Sequence, residues 1–188
     1  MADETSATVN VADPAPLGLA AFAMTTFALS SANAHLFGEQ GLTPAISMAL
    51  FYGGLAQLLA GMWEFFRKNT FGALAFTSYG AFWMSFWYFV NHSPSGAGVF
   101  LLGWTIFTAY MTIASAKVNT AVMLVFILLT LTFLFLTLGG WNGADHIGLT
   151  KTGGWLGLAT AVVAWYTSMA GVTNATWGKV VFPVGPRG

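Results

Sequence analysis

Apolar positions along this chain gather into six long runs, near Leu17–Phe37, Thr43–Phe66, Phe71–Val90, Gly98–Ala116, Val118–Gly140 and Trp155–Asn174. Each run is close to the ~20 residues that an α-helix needs to cross roughly 30 Å of hydrocarbon. Barrel strands would be about 10 residues long and would alternate strictly between apolar and polar. Stretches such as "MLVFILLTLTFLFLTL" do not alternate. Lipid offers nothing to backbone N–H and C=O groups, so a spanning segment must satisfy them internally. The pattern predicts an all-α integral membrane protein with six transmembrane helices.

Between the runs, "GEQGLTP", "RKNTFG", "NHSPSGAG", "AKVNT" and "WNGADHIGLTKTGG" hold nearly all the Gly, Pro, Asn and charge outside the spans. Connections this short place sequence neighbours side by side and leave no room for a separate soluble domain. Residues 1–12 read as a disordered polar tail, 13–178 as the membrane domain and 179–188 as a second tail. The amino-terminal residues lack the basic region of a signal peptide, so the first helix is expected to be retained.

Composition narrows the class further. Hydrophobic residues make up 56% of the 188 and charged residues only 6%, with a mean hydropathy of +0.71. A soluble domain carries about 25% charged residues to keep its surface wet. The zero net charge gives no basic field to draw nucleic acid. There is no cysteine, which excludes disulfides and thiolate ligands. Eight Trp and five Tyr suit interfacial belts. On the side of the termini lie Arg67, Lys68, Lys117, Lys179 and Arg187, against Lys151 alone on the other. That asymmetry places both termini in the cytoplasm, in a multi-pass protein of the cytoplasmic (inner) membrane.

Candidate chemistry inside the spans is sparse. A charge within a span is a functional hypothesis by default, and Glu64 is the deepest carboxylate. It reads either as an interfacial ion pair with Arg67 and Lys68, at i+3 and i+4, or as a residue of a pore mouth. The last span has no Lys for a retinal-type Schiff base, and His35, His92 and His146 lack metal-ligand spacing. No HExxH or serine-nucleophile motif is present. The chain is therefore not expected to be an enzyme, nor to hold a metal or cofactor.

Small and mildly polar residues do recur at helical spacing. Gly53, Gln57 and Gly61 share one face of the second run, with Ala56 and Ala60 alongside. Phe22, Thr26, Ser30 and Asn33 share a face of the first, Thr130 and Thr137 of the fifth, and Thr160, Ala164, Ser168 and Gly171 of the sixth. Helix packing explains many such positions, because small residues let backbones approach and hydroxyls bond across helices. The amides of Gln57 and Asn33 need more partners than packing supplies. A narrow pore lined by hydroxyls, amides and rings would pass a small, weakly charged solute rather than a metal ion.

The stretch "DPAPLGLAAF" opens the first run. Asp13 suits an N-cap, Pro14 the first helical position and Pro16 the first turn, where a missing N–H costs nothing. The same geometry leaves backbone N–H groups at the membrane surface, where an anion could be held. Asp13, Pro14, Pro16 and Glu64 are thus candidates for a pore mouth.

"DPAPLGLAAFAMTT" resembles the signature of the acetate uptake transporter family, the succinate–acetate permeases, with Asp13 in place of the usual Asn. Pro14, Ala15, Pro16, Leu17, Gly18 and Leu19 match that signature. "FYGGLAQLLAGMWEF" and "NTFGALAFTSYGAFW" follow the family pattern in order, and the resemblance covers essentially the whole chain. It implies six-helix protomers assembled as a homohexamer with one pore in each. The implied cargo is acetate and related short monocarboxylates, with succinate in some members. It implies a constriction of Phe22, Tyr79 and Leu129, and a pore-facing Ala164 whose size tunes preference. Thr25, Thr26, Asn33, Gln57 and the Tyr79 hydroxyl are the candidate polar partners of the solute. Asp13 is read as tied up in capping, since a bare carboxylate would repel acetate. Anion channel and proton-coupled permease both stay open, for the spans show no obvious relay. A channel for ammonia or another small neutral solute, and a non-transporting structural membrane protein, are the alternatives.

Overall fold

Helices account for most of residues 11–39, 42–92, 95–142 and 147–186, the part of the chain described by this computed structural model. They are α1 (Ala15–Asn33), α2 (Leu42–Leu50), α3 (Gln57–Phe66), α4 (Thr70–His92), α5 (Ala97–Ser115), α6 (Thr120–Asn142) and α7 (Ile147–Trp177). A π-helical turn over Phe51–Ala56 joins α2 to α3, making Leu42–Phe66 one rod of 25 residues. Among the described residues, this rod, α1, α5, α6 and α7 are long and apolar enough to cross a membrane. At 23 residues α4 is as long as α6, but its Gly, Ser, Thr and aromatic content makes it less apolar.

Two ends differ from the apolar runs. The first helix stops at Asn33 rather than Phe37, because His35 N–H closes a tighter turn on Ala32 O at 3.0 Å and His35 takes φ 55. Leu36–Glu39 then runs extended. The last helix starts at Ile147, well before Trp155. Its early glycines suggest a loop, but in the fold they are contact points. A Cβ at Gly153 would meet the Leu136 side chain, and one at Gly154 would meet the α1 backbone. Tertiary contact overrides the weak local preference there.

α1 lies along α7, α7 along α6, α6 along α5, and α3 along α4. Hydroxyls stitch several of these seams. Thr112 bonds Thr130 at 2.8 Å and Thr105 bonds Thr137 at 2.9 Å, both between α5 and α6. Thr160 reaches Thr132 at 3.4 Å, and the Ser168 hydroxyl donates to Pro16 O at 2.6 Å. Thr130, Thr137 and Ser168 are thus packing residues, as their spacing allowed.

Past α7 the chain turns at Gly178 (φ 64) and folds back as a strap. Asn174 Oδ1 accepts from the N–H groups of Val181 (2.7 Å) and Phe182 (3.0 Å), while its Nδ2 donates to Phe182 O (2.9 Å). The Tyr166 hydroxyl donates to Pro183 O at 2.7 Å. Thr120 and Ala121 donate their N–H groups to Gly185 O and Val184 O. The strap thereby satisfies donors that the first turn of α6 cannot pair within itself. Residues 179–186 of the expected tail are therefore built into the fold. Asn174→Ala removes three of these bonds and strands strap backbone groups, at about 1–3 kcal/mol. Its thermal unfolding midpoint in detergent is expected to fall by roughly 2–12 °C for a chain of this size. Lys179→Ala, which loses only an exposed contact over the Trp177 ring, is expected to melt like the parent.

Candidate functional site

Two cavities meet at one pair of side chains. The first, about 240 Å³, is lined by Asp13, Gln57, Glu64, Asn69, Asn174 and the strap residue Val184 among others. The second, about 300 Å³, is lined by Thr26, Ser30, Asn33, Trp83 and Thr132 among others. Phe22 and Leu129 line both, and Tyr79 lines the first. All three are almost fully buried, with 5%, 3% and 3% exposure for Phe22, Tyr79 and Leu129. They form an apolar plate between two partly polar chambers.

Neighbouring rings hold the plate. Phe22 and Tyr79 lie 5.8 Å apart by ring centroids, and Phe107 meets Tyr79 edge-on at 5.4 Å. Trp104 and Phe126 each stand 6.0 Å from Tyr79. The Tyr79 hydroxyl pairs with Thr108 Oγ1 at 2.9 Å, and Thr108 donates its own hydrogen to Trp104 O at 2.7 Å. A threonine hydroxyl has one hydrogen, so Tyr79 is the donor of that pair. Its proton is committed to α5, and the ring is what Tyr79 offers the cavity.

Glu64 departs from the ion pair that its spacing suggests. It is fully buried, and one carboxylate oxygen, Oε2, accepts from Asn69 Nδ2 at 3.0 Å. The other, Oε1, has no hydrogen-bond partner among the described residues. Arg67 instead faces Asp13 at 3.6 Å. The reason is local: α3 ends at Phe66 and Lys68 takes φ 58, so the helical i+3, i+4 face does not extend to either cation. Asn69 is set by its own Oδ1, which accepts from Gly72 N–H at 3.1 Å and points the amide donor at Glu64. Gly72 leaves room for the carboxylate, since a Cβ there would lie 2.7 Å from Oε1.

Asp13 does cap the first helix, one residue out from the expected register. The helix begins at Ala15, Pro14 holds the cap position, and Asp13 Oδ1 accepts from Ala15 N–H at 3.1 Å. Asp13 and Pro16 line the first cavity, whereas Pro14 is outside both linings. Gln57 is buried in the first cavity with its amide oxygen unpartnered among the described residues.

In the second cavity the four-residue spacing of α1 holds: Phe22, Thr26, Ser30 and Asn33 all line it. Thr26 Oγ1 and Trp83 Nε1 are buried there without a partner among the described residues. Thr25 is different: its hydroxyl donates to Ala21 O at 2.9 Å, and it packs where Gly53 has no side chain. Thr25 and Ala164 lie outside both linings, the latter fully buried in the core cluster that also holds Phe22 and Leu129. His35 and His92 are exposed, and His146 lies outside the described residues. Trp83, Asn69, Asn174 and Val184 are lining residues that the spacing did not single out. A buried indole N–H needs an acceptor, which is the one signal that could have flagged Trp83.

The chain is similar to proteins of related build. It is 39% identical over 177 residues to Ammonia transport outward protein 2 of Saccharomyces cerevisiae, covering 87% of this chain and 62% of that protein. It is 37% identical over 184 residues to the succinate-acetate/proton symporter SatP of Escherichia coli strain K12, covering 93% and 96% respectively. The solved structure of the bacterial acetate channel SatP superposes with a TM-score of 0.85 at 36% identity, covering 94% of this chain and 100% of that one. The chain spans 62 to 65% of the length of four curated relatives that are 39 to 45% identical to it. A family profile matches residues 3–186, and the chain belongs to the GPR1/FUN34/yaaH family.

Proposed function

We propose that this chain is a membrane pore for acetate and related short monocarboxylates, with succinate as a further cargo. The carrying observation is the plate of Phe22 and Leu129 shared by two cavities within one protomer. Likeness to the acetate channel SatP supports the class of solute. Stripping water from a carboxylate at an apolar plate costs several kcal/mol unless partners stand ready on either side. Thr26, Asn33 and the Trp83 indole N–H would receive it in one chamber, and the Gln57 amide in the other. The methyl of acetate suits the rings of Phe22 and Tyr79 and the Leu129 side chain between them. A longer or doubly charged solute meets the same plate with more to desolvate. Thr25 and Ala164, outside the linings, would act by setting how α1 and α7 hold the plate.

In this reading α4 is a sixth span, because it has the length of its neighbours and carries Tyr79. Both termini face the cytoplasm, supported by the five-to-one distribution of Lys and Arg. Protomers assemble as a homohexamer in the cytoplasmic membrane, each with its own pore, and the chain catalyses no covalent chemistry. Asp13, Pro16 and Glu64 form the mouth on the Arg67 side, with Pro14 behind them as the helix cap that sets Asp13 and Pro16 in place. The test is uptake of labelled acetate by liposomes containing the purified protein, with lactate, succinate or ammonium as competitor. Competition by the carboxylates and not by ammonium is the expected result. Ammonia entry above empty liposomes with no uptake of acetate would favour an ammonia channel, the reading that one relative's name suggests. Entry of neither solute above empty liposomes would leave a structural membrane protein.

A further inference from the structure

The desolvation account of the pore sets Glu64 beside the mouth but gives its carboxylate no chemical role. Among the described residues it is the fully buried charged side chain, and it faces the first cavity seven residues along one rod from Gln57. A carboxylate has about four acceptor positions, and Glu64 fills one of them, through Asn69. Burying a charge without full pairing costs several kcal/mol. A structural ion pair would explain that cost, but the nearby guanidinium of Arg67 is turned to Asp13. Asp13, from the start of α1, and Arg67, after α3, are the charged groups near Glu64, while α4 contributes only Asn69 and Gly72. The two charges balance each other, so neither quenches the carboxylate. What remains is an ionisable oxygen, Oε1, that needs a hydrogen.

We propose that Glu64 is the proton acceptor of this pore. The inference rests on the carboxylate-pore reading and decides between its two forms. An undissociated acid crosses the Phe22–Leu129 plate with less desolvation than its anion. In the first cavity its O–H bond breaks and an O–H bond forms on Glu64 Oε1, leaving the solute as a carboxylate. The Glu64 O–H then breaks in turn, its proton passing to water at the mouth near Arg67. The sum is one acid taken up and one carboxylate and one proton delivered, with no change in oxidation state. Asn69 is a positioning residue, holding Oε2 so that Oε1 keeps its aim at the cavity.

The experiment compares two modes of transport in liposomes containing the full chain. One is net acetate uptake driven by an inward proton gradient. The other is exchange of labelled for unlabelled acetate at equal pH, which requires no proton to be released. Glu64→Gln keeps the shape and removes the ionisable oxygen. It is expected to cut gradient-driven uptake by about a hundredfold or more, the scale of a lost acid–base group, while exchange, which needs no proton release, stays close to that of the parent. Glu64→Asp, with an ionisable oxygen one methylene shorter, is expected to restore part of the gradient-driven uptake. Unchanged net uptake in Glu64→Gln overturns the proposal. So does equal loss of both modes in the Gln and Asp variants, which would make Glu64 a residue of solute binding or folding. If the parent protein moves acetate in neither mode, the pore reading itself has failed, a result visible before any variant is made.

Discussion

Phe22→Ala is expected to erase most of the preference for acetate over larger acids. The side chain forms part of the plate between two cavities of about 240 and 300 Å³, so truncation joins them. A pocket discriminates against one extra methylene by about 10–200-fold. Losing a whole ring should therefore bring uptake of lactate or succinate to within about tenfold of acetate. Relative initial rates in liposomes, with each acid labelled in turn, read this directly. Stability falls with it, because a buried Phe→Ala costs about 3–5 kcal/mol, and Phe22 is 5% exposed. Leu129→Ala should shift selectivity in the same direction. Preference unchanged in both variants would mean that the solute does not pass between these side chains.

The plate shows what periodicity can and cannot reveal. Phe22, Thr26, Ser30 and Asn33 line one cavity because a spacing of three or four keeps them on one helical face. That much is legible in a single run. Helical rods follow equally well from run length, since lipid leaves the backbone no alternative. The Phe51–Ala56 π-turn was not visible, nor was the close approach of its Gly53 to Thr25 of another helix. Nor was the pairing of Arg67 with Asp13, which joins the end of α3 to the start of α1. Trp83 was hidden among other aromatics of its run until the fold set it in a cavity lining with its N–H buried and without a partner among the described residues. The strap was read as tail because its bonds to Asn174, Tyr166 and the start of α6 are tertiary throughout. Contacts between segments distant in the chain leave no period to read.

The largest loss of stability is expected at Gly154, where α7 crosses the end of α1. A Cβ at this position would stand 2.7 Å from the Asn33 carbonyl carbon, with the Ala34 N–H also in the way. Those are backbone atoms and cannot rotate aside. At Gly153 the obstacle is the Leu136 side chain and at Gly157 the Ser30 hydroxyl, both of which have other rotamers. Gly154→Leu therefore has to drive α1 away from α7, and α1 carries Phe22, Thr26 and Asn33. Overpacking costs about 1–3 kcal/mol where neighbours can adjust, and more where they cannot. A cost above about 3 kcal/mol would lower the melting midpoint in detergent by roughly 6–12 °C or more, with transport lost as the plate shifts. Gly103, exposed on α5 with nothing near its missing Cβ, is the matching control. Gly103→Ala should leave the melting midpoint level or raise it, because Gly costs a helix about 0.5–1 kcal/mol relative to Ala. A fall at Gly103 would mean that this face of α5 is closely covered by a second copy of the chain. The same pair of variants thus separates a contact within the protomer from one between protomers. A midpoint for Gly154→Leu equal to that of the parent would show that α1 and α7 do not meet as tightly as their backbones indicate.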